Sequence, residues 1–193
     1  MTTPTDPIRS TIEALIGPVP YAGPSLVSYF RPRALRRGEV WLRAGDGCRT
    51  LGFLLSGSLR LYVSSEESTQ TRWAFFENQF FTSLQSFQSG APSTESIAAI
   101  EACTLLEVDR DAFWRLHEQH AFLRRYWQEN MDRLAHCYED RVNSLLLPGA
   151  EERYRYTLAR YPNFVLRLPQ KYVAEMLNMA PRHLSRVRRA VRG

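Results

Sequence analysis

Arg182, Ser185, Arg186 and Arg189 recur at helical spacing opposite Leu184, Val187 and Val191, so one helix carries guanidinium groups on one side and an apolar stripe on the other. A guanidinium bonds a phosphate, or the edge of a guanine, through two parallel N–H groups, which an ammonium cannot do. His183 flanks this row, and Lys171, the only lysine, lies just upstream. From Arg153 to the end there are ten basic side chains and one acid, Glu175, a net +9; the rest of the chain holds 15 bases against 19 acids. A compact cationic end on an otherwise acidic chain is the footprint of a polyanion partner such as double-stranded DNA.

Two short helices must position those side chains. Val173 and Leu177 lie four apart and share a face of the first helix. Asn178 tolerates the left-handed backbone of a sharp turn, Met179 plugs the angle between the helices, and Pro181 suits the first turn of the second. Ala174 is small where the helices should cross. The pattern predicts a helix-turn-helix with a cationic reading face suited to the major groove. The bland alternative is a surface helical hairpin with a solvated basic side.

Bulk composition narrows the class. A chain of 193 residues, 44% hydrophobic and 12% aromatic, supports a packed core in one domain or two small ones. It has no apolar run of membrane-span length, and residues 1–10 lack a signal core, so a cytoplasmic protein is expected. Cys48, Cys103 and Cys137 lie far apart with no paired spacing, and read as small buried hydrophobes. His117 and His120 are three apart on a helical segment with no third ligand in view, so no metal and no cofactor are expected. No nucleophile elbow, P-loop or dinucleotide fingerprint occurs, and no catalytic residue is assigned.

Along the chain, residues 1–6 read as a frayed polar tail, residues 8–16 as a short helix and residues 24–30 as another. From Arg31 to Val108 glycines separate short β-branched and aromatic segments, at 39–43, 51–55, 58–63 and 71–76, with a closing strand at 97–108. Leu59, Leu61 and Val63 alternate with Arg60 and Tyr62, the period of a half-buried strand. Residues 64–70 form a polar hairpin loop. One helix is expected over residues of about 111–147, ended by Pro148 and Gly149. Its stripe of Trp127, Met131, Leu134, Tyr138, Val142 and Leu145 runs close to a heptad seam, fit to pack on the β region or to pair with a twin in a homodimer. Tyr154, Leu158 and Tyr161 line one more helix, which Pro162 and Asn163 end before a short connection.

Taken in order, Trp41-Leu-Arg-Ala-Gly-Asp46, Phe53-Leu-Leu-Ser-Gly-Ser-Leu-Arg-Leu-Tyr-Val63 and Leu177-Asn-Met-Ala-Pro-Arg-His-Leu-Ser-Arg-Val187 resemble the Crp/Fnr family of bacterial transcription regulators. The resemblance implies an α+β chain: a jelly-roll (double-stranded β-helix) sensor domain with its dimerisation helix over 1–147, and a helix-turn-helix domain over 148–193. It further implies a dimer held by the long helices, a roll that senses a small molecule, and a recognition helix in the major groove. Arg182 and Arg186 match the base-reading positions, and His183 and Ser185 match flanking or backbone-contacting ones.

Two departures stand out. Relatives that bind a cyclic nucleotide cradle its phosphate with a Gly-Glu pair and a later Arg-Ser or Arg-Thr pair, yet no arginine lies between Arg72 and Arg110 here, and Glu77 and Glu95 add negative charge. Cyclic AMP is therefore not the expected ligand. Asn78, Gln79, Ser83, Thr94 and Ser96, with Thr82, are the polar candidates for a neutral or apolar effector. The usual β-hairpin wing is also not expected, since residues 164–168 are short and the sequence stops at Gly193. Rolls of this kind also resemble cupins, which hold a catalytic metal with clustered histidines, but His117, His120, His136 and His183 all lie outside the β region. The competing reading is a small-molecule sensor or protein-interaction module on the same roll that does not bind DNA.

Overall fold

The computed structural model describes residues 6–66 and 68–192; Glu67 and residues 1–5, most of the tail read as frayed, lie outside it. The chain divides into two compact units, one from the residues up to Leu61 with Phe75–Asp132, the other from Tyr62–Ala74 with the residues from Arg133 onward. No helix among the described residues is long and apolar enough to cross a membrane.

The first unit opens with α1 (Pro7–Ile16), whose Ile8, Ile12 and Ile16 are buried at helical spacing. Asp6 is its N-cap and not part of a loose tail: one carboxylate oxygen accepts from the Ile8 and Arg9 N–H groups at 3.0 Å. The segment read as a second helix forms a single 3-10 turn, Leu26–Tyr29. Strands β1 (Arg31–Leu35), β2 (Val40–Leu42), β3 (Thr50–Ser56), β4 (Leu59–Ser64), β5 (Thr69–Phe75) and β6 (Gln79–Phe81) follow, then α2 (Leu84–Ser89), β7 (Ser96–Ala99) and β8 (Cys103–Asp109). They make two four-stranded sheets, ordered β1-β8-β3-β6 and β2-β7-β4-β5, a jelly-roll arrangement.

The alternation in β4 holds for buried Leu59 and Leu61 against half-buried Arg60 and Tyr62, but lapses at Val63, which is itself half-buried. Antiparallel register sets Phe53 opposite both Leu106 and Phe80, and a fully buried Phe53 anchors the core. The closing strand expected at 97–108 is two strands, β7 and β8, in different sheets. Gly57 turns β3 into β4 at φ +91°, where a Cβ would meet the Ala102 carbonyl oxygen at 2.6 Å.

The helix expected over 111–147 is also two, α3 (Arg110–Gln119) and α4 (Ala121–Leu146). His120 takes an extended backbone between them, and the Arg124 guanidinium donates to the His117 and Glu118 carbonyls, satisfying the end of α3.

In the second unit α5 (Ala150–Arg160), α6 (Pro162–Arg167), α7 (Gln170–Met176) and α8 (Pro181–Arg192) follow the later turns of α4. The short connection expected after Pro162 is a helix instead, because proline at its first position initiates a helix as readily as it ends one. The β4–β5 hairpin packs with these helices. Trp73 stands edge-on to Tyr161 at 5.6 Å and to Phe164 at 4.8 Å, so it belongs here and not with the aromatics of the roll. Thr71, fully buried, donates its N–H to the Glu175 carboxylate at 3.1 Å and its hydroxyl to the same oxygen, while the Gln70 amide donates to the Glu175 carbonyl.

Candidate nucleic-acid interface

Helices α7 and α8 pack through Val173, Ala174, Met176, Leu177, Leu184 and Val187, all buried. Asn178 takes the left-handed conformation expected of it, φ 50°, and the Met179 N–H returns to the Ala174 carbonyl at 3.0 Å. The plug between the helices is Met176, 2% exposed, whereas Met179 is only half-buried. The Gln170 amide donates to the Pro181 carbonyl at 2.7 Å and ties the two helix starts together. The Arg188 guanidinium donates to the Val165 carbonyl at 2.7 Å and fastens α8 to α6.

With Leu184 and Val187 turned inward, Arg182, His183, Arg186 and Arg189 are exposed, and Ser185 is half-buried at the edge of the row. No carboxylate among the described residues pairs with Arg182, Arg186 or Arg189. Lys171 is exposed on α7, its ammonium 4.6 Å from the centre of the Tyr172 ring. Other members of the cationic end are structural. Arg153 donates to the Leu177 and Leu147 carbonyls, Arg155 pairs with Glu151 at 2.8 Å, and Arg160 pairs with Asp140 at 3.0 Å. Raw charge therefore overstates the interface. Burial and pairing reduce it to a short row of free guanidinium groups.

The polar residues proposed for an effector do not converge. Asn78 lies in a left-handed turn, exposed, and Gln79 accepts the Phe76 N–H at 3.1 Å. Ser83 is buried at the other end of β6, its hydroxyl 2.9 Å from that of Ser93 and donating to Glu95 at 3.4 Å. Thr94 is exposed, and Ser96 accepts the Ala44 N–H at 2.9 Å. Glu95, which sequence reading treated as a source of repulsion, is itself 8% exposed within this serine cluster. Arg110 donates to the Phe87 and Gln88 carbonyls at the end of α2, so its charge is committed there. Phe81 packs so tightly over Gly52 that a Cβ on Gly52 would lie 2.2 Å from its ring.

The expected seam divides likewise. Trp127 packs against Phe113, Trp114 and Phe87 of its own unit, and burial among these rings, helped by the Arg124 charge, pushes the His117 pKa down. Met131 and Leu134 are half-buried, and Tyr138, Val142 and Leu145 are exposed at 45%, 56% and 43%. Cys48 and Cys103 are buried and Cys137 is half-buried, all as free thiols.

Residues 32–120 match the family model of the cyclic nucleotide-binding domain. Among solved structures the chain is similar to a CooA variant from Carboxydothermus hydrogenoformans, with 17% identity, a TM-score of 0.73, and coverage of 98% of this chain and 85% of that one. It is similar to FixK2 from Bradyrhizobium japonicum at 16% identity and a TM-score of 0.72, covering 84% of each chain. The chain has the fold of these proteins. A regulator of the Crp/Fnr family from Eubacterium rectale shares it at 15% identity, with a TM-score of 0.66 and coverage of 86% of this chain and 79% of that one. No curated protein sequence matches. Within this fold, Arg182, Arg186 and Arg189 stand on α8, and the serine cluster with its buried carboxylate lies around α2.

Proposed function

We propose that the protein is a cytoplasmic DNA-binding transcription regulator of the Crp/Fnr type. It acts as a homodimer on an inverted-repeat operator through Lys171, Arg182, His183, Ser185, Arg186 and Arg189. The observation that carries this reading is the row of exposed, unpaired guanidinium groups on α8, a helix held rigidly from behind by buried Leu184 and Val187. A helix surface of that charge and stiffness is suited to the major groove. The exposed stripe of Tyr138, Val142 and Leu145 supports pairing of two chains, and a two-fold pair of recognition helices calls for half-sites about 34 Å apart.

The test is the salt dependence of binding to duplex DNA. Each phosphate neutralised releases counterions, so log affinity should fall linearly and steeply with log salt. Absence of binding at low salt would replace this reading with a sensor or interaction module on the same roll.

Cyclic AMP is not the effector of this reading. Arg110 is held by the α2 carbonyls, and a buried carboxylate, Glu95, occupies the cassette where an anionic phosphate would need a cation. Calorimetry should show no binding of cyclic AMP, and a micromolar dissociation constant would overturn that expectation. An effector acting inside the roll is expected to be neutral or apolar.

A further inference from the structure

The first unit holds a cleft of about 370 Å³ outside the roll, within the size range of small-molecule sites. Its floor is Ile16 and Val19, both buried. Its walls are Tyr21 on one side and, where α3 gives way to α4, His120 and Phe122 on the other. These three rings form a corner: Tyr21 stands edge-on to His120 at 5.2 Å and tilted to Phe122 at 5.2 Å, and His120 lies 5.5 Å from Phe122.

Arg125 closes the rim. It is exposed, has no hydrogen-bond or ion-pair partner among the described residues, and no acid lines the cleft. The loop that supplies Val19 and Tyr21 is fixed from behind. The Arg9 guanidinium donates to the Val19 carbonyl at 3.2 Å and to the Tyr21 carbonyl at 3.3 Å. Arg9 also pairs with Glu13 at 2.9 Å, and that carboxylate accepts the Val19 N–H at 3.2 Å. The wall is thus shaped without an occupant, which lowers the ordering cost of binding one.

We propose that this cleft binds a small aromatic carboxylate, its ring against Tyr21, His120 and Phe122 and its carboxylate on Arg125. A cation would be repelled by Arg125, and a neutral ring would leave that guanidinium unused. A compact, strongly hydrated anion would gain nothing from the apolar walls. A flat apolar body carrying one negative charge uses every wall at once. The site involves no DNA contact and stands apart from the operator-binding reading.

Calorimetric titration of the full chain with 2-naphthoate and its neutral analogue 2-naphthamide tests this without DNA. One naphthoate should bind per chain, with the amide weaker by about tenfold, the worth of a charge-assisted hydrogen bond. Arg125→Gln, at an exposed position, should weaken naphthoate by about tenfold and erase its advantage over the amide. Phe122→Ala should weaken both ligands. The proposal is overturned by an absence of saturable heat with naphthoate, by the amide binding as tightly as the acid, or by either variant binding naphthoate as the parent does.

Discussion

Arginine is used in two ways in this molecule, tied into the fold or left without a partner. In the first unit, Arg33 pairs with Glu107 at 3.0 Å, Arg9 pairs with Glu13, and Arg110 spans two carbonyls of α2. In the second unit Arg153, Arg160 and Arg188 are likewise tied into the fold, and both Glu175 and Asp140 are engaged internally. Arg182, Arg186 and Arg189 meet no acid among the described residues. Apolar surface follows the same division. The roll encloses Phe53, Leu54, Leu59 and Ile97 completely, while the second unit leaves Tyr138, Val142, Leu145 and Leu146 in solvent. Partnerless arginines also occur among the described residues of the first unit, at Arg37, Arg43, Arg115 and Arg125; what sets α8 apart is that three stand on one helix above a buried stripe of Leu184 and Val187. The contrast can be broken at three places.

The apolar stripe should give the largest effect. Val142→Glu with Leu145→Glu alters side chains already exposed in the single chain, 56% and 43%, so folding should survive. In a dimer paired along this stripe the same change would oppose like charges in a dry seam and should prevent pairing. Sedimentation should report a monomer, and affinity for a full inverted repeat should drop to that for one half-site. An unchanged dimer would place the seam elsewhere on the surface. These two positions are a sharper target than Met131 and Leu134, which the chain already half-buries.

Next comes the cationic row. If Arg186 reads a base as proposed, Arg186→Ala should cost about 1–3 kcal/mol on the specific site and relax preference at one base pair. If Lys171 holds a phosphate as proposed, Lys171→Ala should weaken all sequences alike and flatten the salt slope by roughly one unit. Equal losses on specific and random DNA for Arg186→Ala would refute the reading role.

Local pattern revealed the elements whose own residues determine them. The alternation of Leu59 to Val63 located β4, and Val173, Leu177 and Asn178 located α7 and its turn. What stayed hidden depends on distant partners. Nothing local marks the break at His120, since histidine neither forbids a helix nor demands a turn; Arg124 capping the end of α3 accompanies it. Pro162 carries a signal that terminates or initiates a helix with equal force. Asn78, Gln79 and Ser83 are close in sequence, yet β6 carries them to opposite ends of a strand. The number of arginines was legible, but which of them are free was not, because carbonyl caps such as those of Arg153 and Arg188 leave no pattern in the chain. The cleft beside Arg125 joins a loop to a helix junction a hundred residues later in the chain, roughly, and no periodicity reports such a meeting.

Asp140 offers the smallest test, on the satisfied side of the contrast. Its carboxylate accepts from the Tyr156 hydroxyl at 2.9 Å, the Tyr161 hydroxyl at 3.0 Å and the Arg160 guanidinium at 3.0 Å, joining α4 to α5 and its end. Those donors, Tyr156 first and then Tyr161 and Arg160, hold its pKa below the ordinary carboxylate value of 3.8. A group whose pKa is depressed in the folded chain stabilises it above the unfolded pKa, and that contribution fades as pH falls through the folded value. The α4–α5 junction should therefore be insensitive to pH between neutrality and about pH 4, and loosen only below it. Asp140→Asn keeps the shape but accepts through one oxygen without charge. It should lower the melting temperature slightly at pH 7 and leave a shallower acid dependence than the parent, because the titrating group is gone. The site is partly solvated, so the change should be modest beside those at the seam and on α8. Melting curves of parent and variant that run parallel from pH 7 down to pH 3 would show that Asp140 carries no linkage, and that the junction is held by its rings alone.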